Sequence, residues 1–173
     1  MHASIVTGEY DDMQSRPADA AGGDLPETDA TVTASRALLG IIARSMVPAL
    51  ESVSLPQFRV LVVLSSSGPL RMGVLAEKLG VTISTFTRTA DRLVTGGWAR
   101  RESNPDNRRE VLLALTDAGR GLVNTVTEHR RLLIEDVLLR MAPADRQQLG
   151  DALTAFAAAA GEPAAADLLV LGL

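Results

Sequence analysis

Apolar side chains recur at three- and four-residue steps along most of this chain and at two-residue steps in one short stretch. From about Thr31, the positions Val32, Leu38, Leu39, Ile42, Met46, Ala49, Leu50 and Val53 predict a helix over about 31–53, with Pro48 kinking it or ending a segment there. Ser54-Leu-Pro-Gln57 reads as a capping box that starts a second helix, and Phe58, Val60, Leu61, Val62, Val63 and Leu64 make that helix apolar on most sides, so it is expected at the centre of the domain. Gly68-Pro69 breaks it. Val74, Leu75 and Leu79 then give a short helix closed by Gly80, and Thr82 caps another helix that runs from Ile83 to Gly96-Gly97. A strand over Trp98–Glu102, turn chemistry at Asn104-Pro-Asp-Asn, and a return strand with Val111, Leu113 and Leu115 on one face follow. Thr116 caps a long helix to about Arg140, and Pro143 opens a last one with Leu149, Ala152, Leu153, Phe156 and Ala160 on one side.

Short helix, tight turn, helix, then a two-stranded ribbon is the order of a winged helix-turn-helix. The fold class expected is therefore mainly α with a small β-wing, the winged core lying at about 55–115. The helix after Thr82 buries Phe86, Ala90, Leu93 and Val94 on one stripe and turns Ser84, Thr87, Arg88, Asp91 and Thr95 outward. A merely solvated face more often carries Glu and Lys. Short hydroxyls with an Arg suit a helix that approaches base edges and phosphates, because a hydroxyl donates or accepts and a guanidinium forks onto guanine or phosphate.

Charge is segregated to match. Residues 71–109 hold eight bases (Arg71, Lys78, Arg88, Arg92, Arg100, Arg101, Arg108, Arg109) against four acids (Glu77, Asp91, Glu102, Asp106), a local +4 in a chain whose total is −4. Local sign decides whether phosphates are attracted. Arg108 and Arg109 fall at or just past the ribbon tip, and a guanidinium on a thin projection suits the narrow minor groove. Residues 1–30 carry seven acids and one base with scattered Gly and Pro, the composition of a disordered acidic tail.

Composition excludes several classes. The 173 residues contain no Cys, so disulfides, thiolate metal sites and thiol switches are ruled out, and two His are too few for a metal cluster. No Gly-rich phosphate loop, nucleophile elbow or paired carboxylates point to an enzyme, and no cofactor is expected. No uninterrupted apolar run approaches the roughly 18 residues that span a bilayer, and the N-terminus is acidic where a signal peptide is basic; the expectation is a cytoplasmic protein without a membrane partner.

Three end helices, at about 31–53 and 116–160, carry more apolar surface than an 80-residue winged core needs. Burial against a second copy accounts for the surplus, and a twofold pair would place two reading helices about one duplex turn apart, as a palindromic operator requires. The apolar end, residues 164–173, extends that contact or frays.

Five ordered blocks resemble the MarR family of bacterial transcription regulators: Leu55-Pro-Gln-Phe-Arg-Val-Leu61, Leu75-Ala-Glu-Lys-Leu-Gly-Val81, Thr85-Phe-Thr-Arg-Thr-Ala-Asp-Arg-Leu93, Asp106-Asn-Arg108 and Leu113-Ala-Leu-Thr-Asp-Ala-Gly119. The resemblance covers roughly residues 31–160 of a domain expected at 31–163. It implies a homodimer held by the N- and C-terminal helices, a recognition helix in the major groove of double-stranded DNA, and a wing whose Arg108 reaches the minor groove with Asp106 orienting it. It also implies release of DNA by a small, often aromatic or phenolic, effector; the oxidation route used by other members needs a Cys that this chain lacks. Two residues depart from the family pattern: Arg71 stands where a Thr or Ser usually caps the short helix, either leaving that cap weaker or serving a phosphate, and Phe86 stands where Val is usual. The DNA-contacting set expected is Arg71, Thr82, Ser84, Thr85, Thr87, Arg88, Arg92, Asp106, Arg108 and Arg109. The competing expectation is a winged-helix protein-interaction module or anti-repressor that has lost DNA contact.

Overall fold

A computed structural model describes residues 25–105, 107 and 110–161. The expectations for residues 1–24, for Asp106, Arg108 and Arg109, and for the apolar end at 164–173 lie outside the described residues. The chain divides between Leu38 and Leu39 into two compact units; the described part of the first is the opening half of a helix, and the second holds everything after it.

That helix, α1 (Pro26–Leu50), begins five residues earlier than its apolar rhythm predicted. Pro26 sits where a missing N–H costs nothing, and Glu27 and Asp29 lie in the first turn, where carboxylates oppose the positive end of the helix dipole. Their acidity, counted toward a tail by composition, belongs to a helix start. Pro48 falls in the last turn, and the helix stops two residues later. With 25 residues and an 18-residue window of mean hydropathy 1.2, α1 is long and apolar enough, by length and composition alone, to cross a bilayer, although polar residues interrupt its apolar run.

In the second unit the core forms around α2 (Leu55–Ser67), whose Phe58, Val60, Leu61, Val63 and Leu64 are all buried. Its start is held by the Ser54 N–H, which donates to Gln57 Oε1 at 2.7 Å. Packed on it are α3 (Met72–Lys78), α4 (Ile83–Thr95) and the first half of α5 (Asp117–Leu139), which contribute Leu75, Phe86, Leu93, Val123 and Val126 to one cluster. Burying one such Leu or Phe stabilises the fold by about 1.5–3 kcal/mol. The last helix, α6 (Pro143–Ala159), has no buried residue.

The wing is three-stranded. Besides β2 (Ala99–Ser103) and β3 (Val111–Leu115), Leu70–Arg71 form β1, and the antiparallel order is β1-β3-β2. Two residues are too few to carry a period-two signal. The predicted one-sided face of β3 also needs correcting: Leu113, Ala114 and Leu115 are all buried, while Val111 is 48% exposed. The middle strand is covered on both sides near its C-terminal end, whereas Val111 pairs only with Ser103, beyond the reach of β1.

Candidate nucleic-acid interface

The turn between α3 and α4 is specified locally. Gly80, at φ 65°, supplies the left-handed residue that ends α3; its N–H donates to the Glu77 carbonyl and that of Val81 to the Ala76 carbonyl, both at 3.0 Å, which closes a Schellman turn. Thr82 then caps α4, its Oγ1 accepting from the Thr85 N–H at 3.3 Å. The same oxygen donates to Thr85 Oγ1 at 3.0 Å and lies 3.1 Å from Ser84 Oγ. Cap and hydroxyl cluster thus form one unit at the tip of the helix.

Phe86, Ala90 and Leu93 are buried at 1%, 0% and 0%, so the rotation of α4 about its axis is set by the core. This rotation turns Ser84, Thr85, Arg88 and Arg92 to solvent. Arg88 and Arg92 stand one turn apart with no carboxylate partner among the described residues, which leaves two guanidinium groups on one exposed ridge. Thr87 is half-buried, and its Oγ1 donates to the Ile83 carbonyl at 2.8 Å. The hydroxyl proton expected to read a base is committed, so Thr87 offers a duplex only an acceptor and a methyl group.

Two charge pairs that no sequence rule revealed hold the ridge and the wing. Arg101 of β2 donates to Asp91 of α4 at 2.5 Å, strapping α4 to the sheet. Both partners are largely exposed, so the strap contributes at most about 1 kcal/mol and acts chiefly on orientation. Arg71 pairs with Glu110 at 3.3 Å, and Asn104 Nδ2 donates to the same carboxylate at 2.8 Å. The Asn104 hydrogen bond first, then the Arg71 charge, hold the Glu110 carboxyl below its ordinary range. Arg71 therefore sits beside the turn end of the β2–β3 hairpin rather than on the α4 ridge; its side chain makes no cap bond to α3, as the departure from Thr or Ser implied. Ten and 39 residues separate the partners of these pairs, and only the closed sheet brings them together.

Of the expected contact set, the structure gathers Thr82, Ser84, Thr85, Thr87, Arg88 and Arg92 on α4 and sets Arg71 apart. Among the described residues no group of three His, Asp or Glu side chains is placed to hold a metal ion.

Helix, Schellman turn, capped helix and sheet define a winged helix-turn-helix protein. A sequence model of the MarR family matches residues 53–111. The chain is similar to RV1404 from Mycobacterium tuberculosis, whose crystal structure aligns with a TM-score of 0.67 at 49% identity over 79% of this chain and 93% of that one. It is 29% identical over 102 residues to the HTH-type transcriptional regulator YfiV of Bacillus subtilis, and the aligned part spans 59% of this chain and 64% of that protein. The transcriptional regulator Tm0710 from Thermotoga maritima shares the fold, with a TM-score of 0.66 at 24% identity over 78% of this chain and 94% of the other. The chain belongs to the MarR family, a family of DNA-binding transcription regulators and not of enzymes.

Proposed function

We propose that this chain is a homodimeric, cytoplasmic repressor that binds a palindromic operator in double-stranded DNA and is released by a small aromatic or phenolic effector. The observation that carries the DNA reading is the exposed α4 ridge, with Ser84 and Thr85 at its tip and the Arg88 and Arg92 guanidinium groups one turn apart behind them. That surface supports base contact at the tip and phosphate contact behind it. Arg108 and Arg109, between β2 and β3 in sequence, are assigned to the minor groove, and Asp106 to orienting that turn.

Dimerisation is supported by large apolar side chains left in water: Leu38 and Leu39 on α1, Leu132 and Leu139 on α5, and Leu153 and Phe156 on α6, each between 42% and 67% exposed. Exposed apolar side chains that gather into patches mark surfaces that a partner covers. A second copy is the cover that also doubles the reading helix and explains an operator with twofold symmetry. The effector reading is supported by a hollow of about 210 Å³ between Pro56, Arg59 and Val60 of α2 and Thr85, Phe86 and Thr89 of α4. An occupant wedged there shifts α4 against the core, and weakens DNA binding by its preference for the shifted state.

The test is duplex binding by the full chain as a function of salt. Phosphate contacts release counterions, so log K must fall steeply and linearly with log salt, by about 0.9 for each phosphate neutralised. Arg88→Ala with Arg92→Ala should lower that slope. A shallow salt response with a captured protein partner would favour the interaction-module reading instead.

A further inference from the structure

Ile83 is the first residue of α4 and is 61% exposed, the most exposed large apolar side chain on the helix-turn-helix. It takes no part in the core cluster, which α4 completes with Phe86, Ala90 and Leu93. Around it, the polar groups at the tip are partly engaged. Thr82 Oγ1 is shared between Ser84 and Thr85, and Thr87 donates its proton to the carbonyl of Ile83 itself. The tip of a recognition helix is the part that reaches base edges, and here it leads with a branched hydrocarbon flanked by hydroxyls that each make at least one hydrogen bond within the tip.

Such a side chain has nothing to exchange with the donors and acceptors of a base edge, and burying it against them would leave those groups unpaired. One feature of the major groove is apolar and faces outward, the 5-methyl group of thymine, which no other base carries. We infer that Ile83 is a specificity-determining residue that selects thymine at one position of each half-site by packing against its 5-methyl group. The Thr87 methyl, one turn further along the same flank, borders the contact. This inference rests on the DNA-binding reading above and adds to it the base selected and the group that selects it.

The experiment starts from the duplex that the full-length protein enriches from a random pool, and replaces each thymine in turn by deoxyuridine, which pairs identically and lacks only the methyl. At one position per half-site, the replacement should weaken wild-type binding by about fourfold, the worth of one methyl group removed from water. Ile83→Ala removes the contact from both half-sites, so it should lose about the square of that factor, about 16-fold, on the thymine duplex, and bind the deoxyuridine duplex at that position equally well. The side chain is exposed, so the variant should melt with the wild type and its binding can be read directly. Indifference of the wild-type protein to every deoxyuridine overturns the inference, as does an Ile83→Ala protein that still responds at the same position. Failure to enrich or bind any duplex overturns the DNA reading itself, and is recognised by the absence of binding rather than by indifference to the methyl.

Discussion

Gly119 should tolerate no side chain, although it stands inside a helix where Ala is ordinarily the better residue. It lies in the first turn of α5, and its N–H donates to the Thr116 cap at 3.1 Å. A Cβ built there would come within 2.1 Å of the Trp98 carbonyl oxygen, 3.0 Å of Leu115 Cδ2 and 3.1 Å of the Trp98 carbonyl carbon. The oxygen cannot retreat cheaply. It accepts from the Thr116 N–H at 3.2 Å, while the Trp98 N–H is tied to the Leu93 carbonyl at 2.9 Å and the Thr116 hydroxyl to the Gly97 carbonyl at 2.7 Å. These bonds join the end of α4, the entry to β2 and the start of α5. Gly119→Ala must open that joint by about 1 Å. Overpacking costs about 1–3 kcal/mol and loss of the Thr116 cap about 1 kcal/mol, against a gain of about 1 kcal/mol in helix propensity. The expected net is a loss of about 1–3 kcal/mol, or about 2–12 °C in Tm for a chain of this size. Gly121, two residues on in the same helix and exposed, has nothing within 4 Å of its Cβ position. Gly121→Ala should therefore gain up to about 1 kcal/mol. Thermal melts of the three proteins at one fixed concentration, since association shifts Tm by mass action, give opposite signs for the two variants. A Gly119→Ala protein that melts with or above the wild type would refute the close approach of α5 to Trp98.

Other consequences can be checked separately. Thr82→Ala removes the α4 cap and should lower stability by about 1 kcal/mol in urea titration; an unchanged midpoint would mean that the hydroxyl cluster does not hold the helix tip. Glu110 has a folded pKa depressed below its ordinary 4.5, so its contribution to the wing is complete above that value and is lost as pH falls through the lower folded one. Tm measured as pH is lowered below 4.5 should consequently fall more steeply for wild type than for Glu110→Gln, and equal slopes would exclude the Asn104 and Arg71 pairing as the cause. Arg108→Ala should weaken operator binding while leaving the mass from light scattering unchanged; full affinity would remove the wing from the mechanism. Ser84→Ala should reduce discrimination between operator and random duplex by about 1–3 kcal/mol, and retained discrimination would move base reading to other residues.

The elements were legible where a local signal is strong. The Thr82 and Thr116 caps, the Gly80 turn and the stripe of Phe86, Ala90 and Leu93 are decided within a dozen residues, and the structure forms each of them. The apolar run of α2 announced a buried helix because no rotation of it could present a polar face. Signals weakened where composition stood in for position. Glu27 and Asp29 looked like tail and proved to be the first turn of α1, and the period of two in β3 broke at Ala114, which is buried together with its neighbours Leu113 and Leu115.

Order of elements, apolar stripes, caps and the concentration of positive charge at 71–109 are properties of neighbouring residues, and are set once the chain is written. Which polar groups remain available is not such a property. Thr87 spends its proton on a backbone carbonyl, Asp91 is drawn to Arg101, and Arg71 is taken by Glu110 beside the turn of the wing, while Arg88 and Arg92 keep an open ridge and Ile83 is left foremost. Hydrogen bonds and ion pairs form with whatever lies within about 3 Å, and that neighbourhood exists only after the hydrophobic core has closed α4 against the sheet.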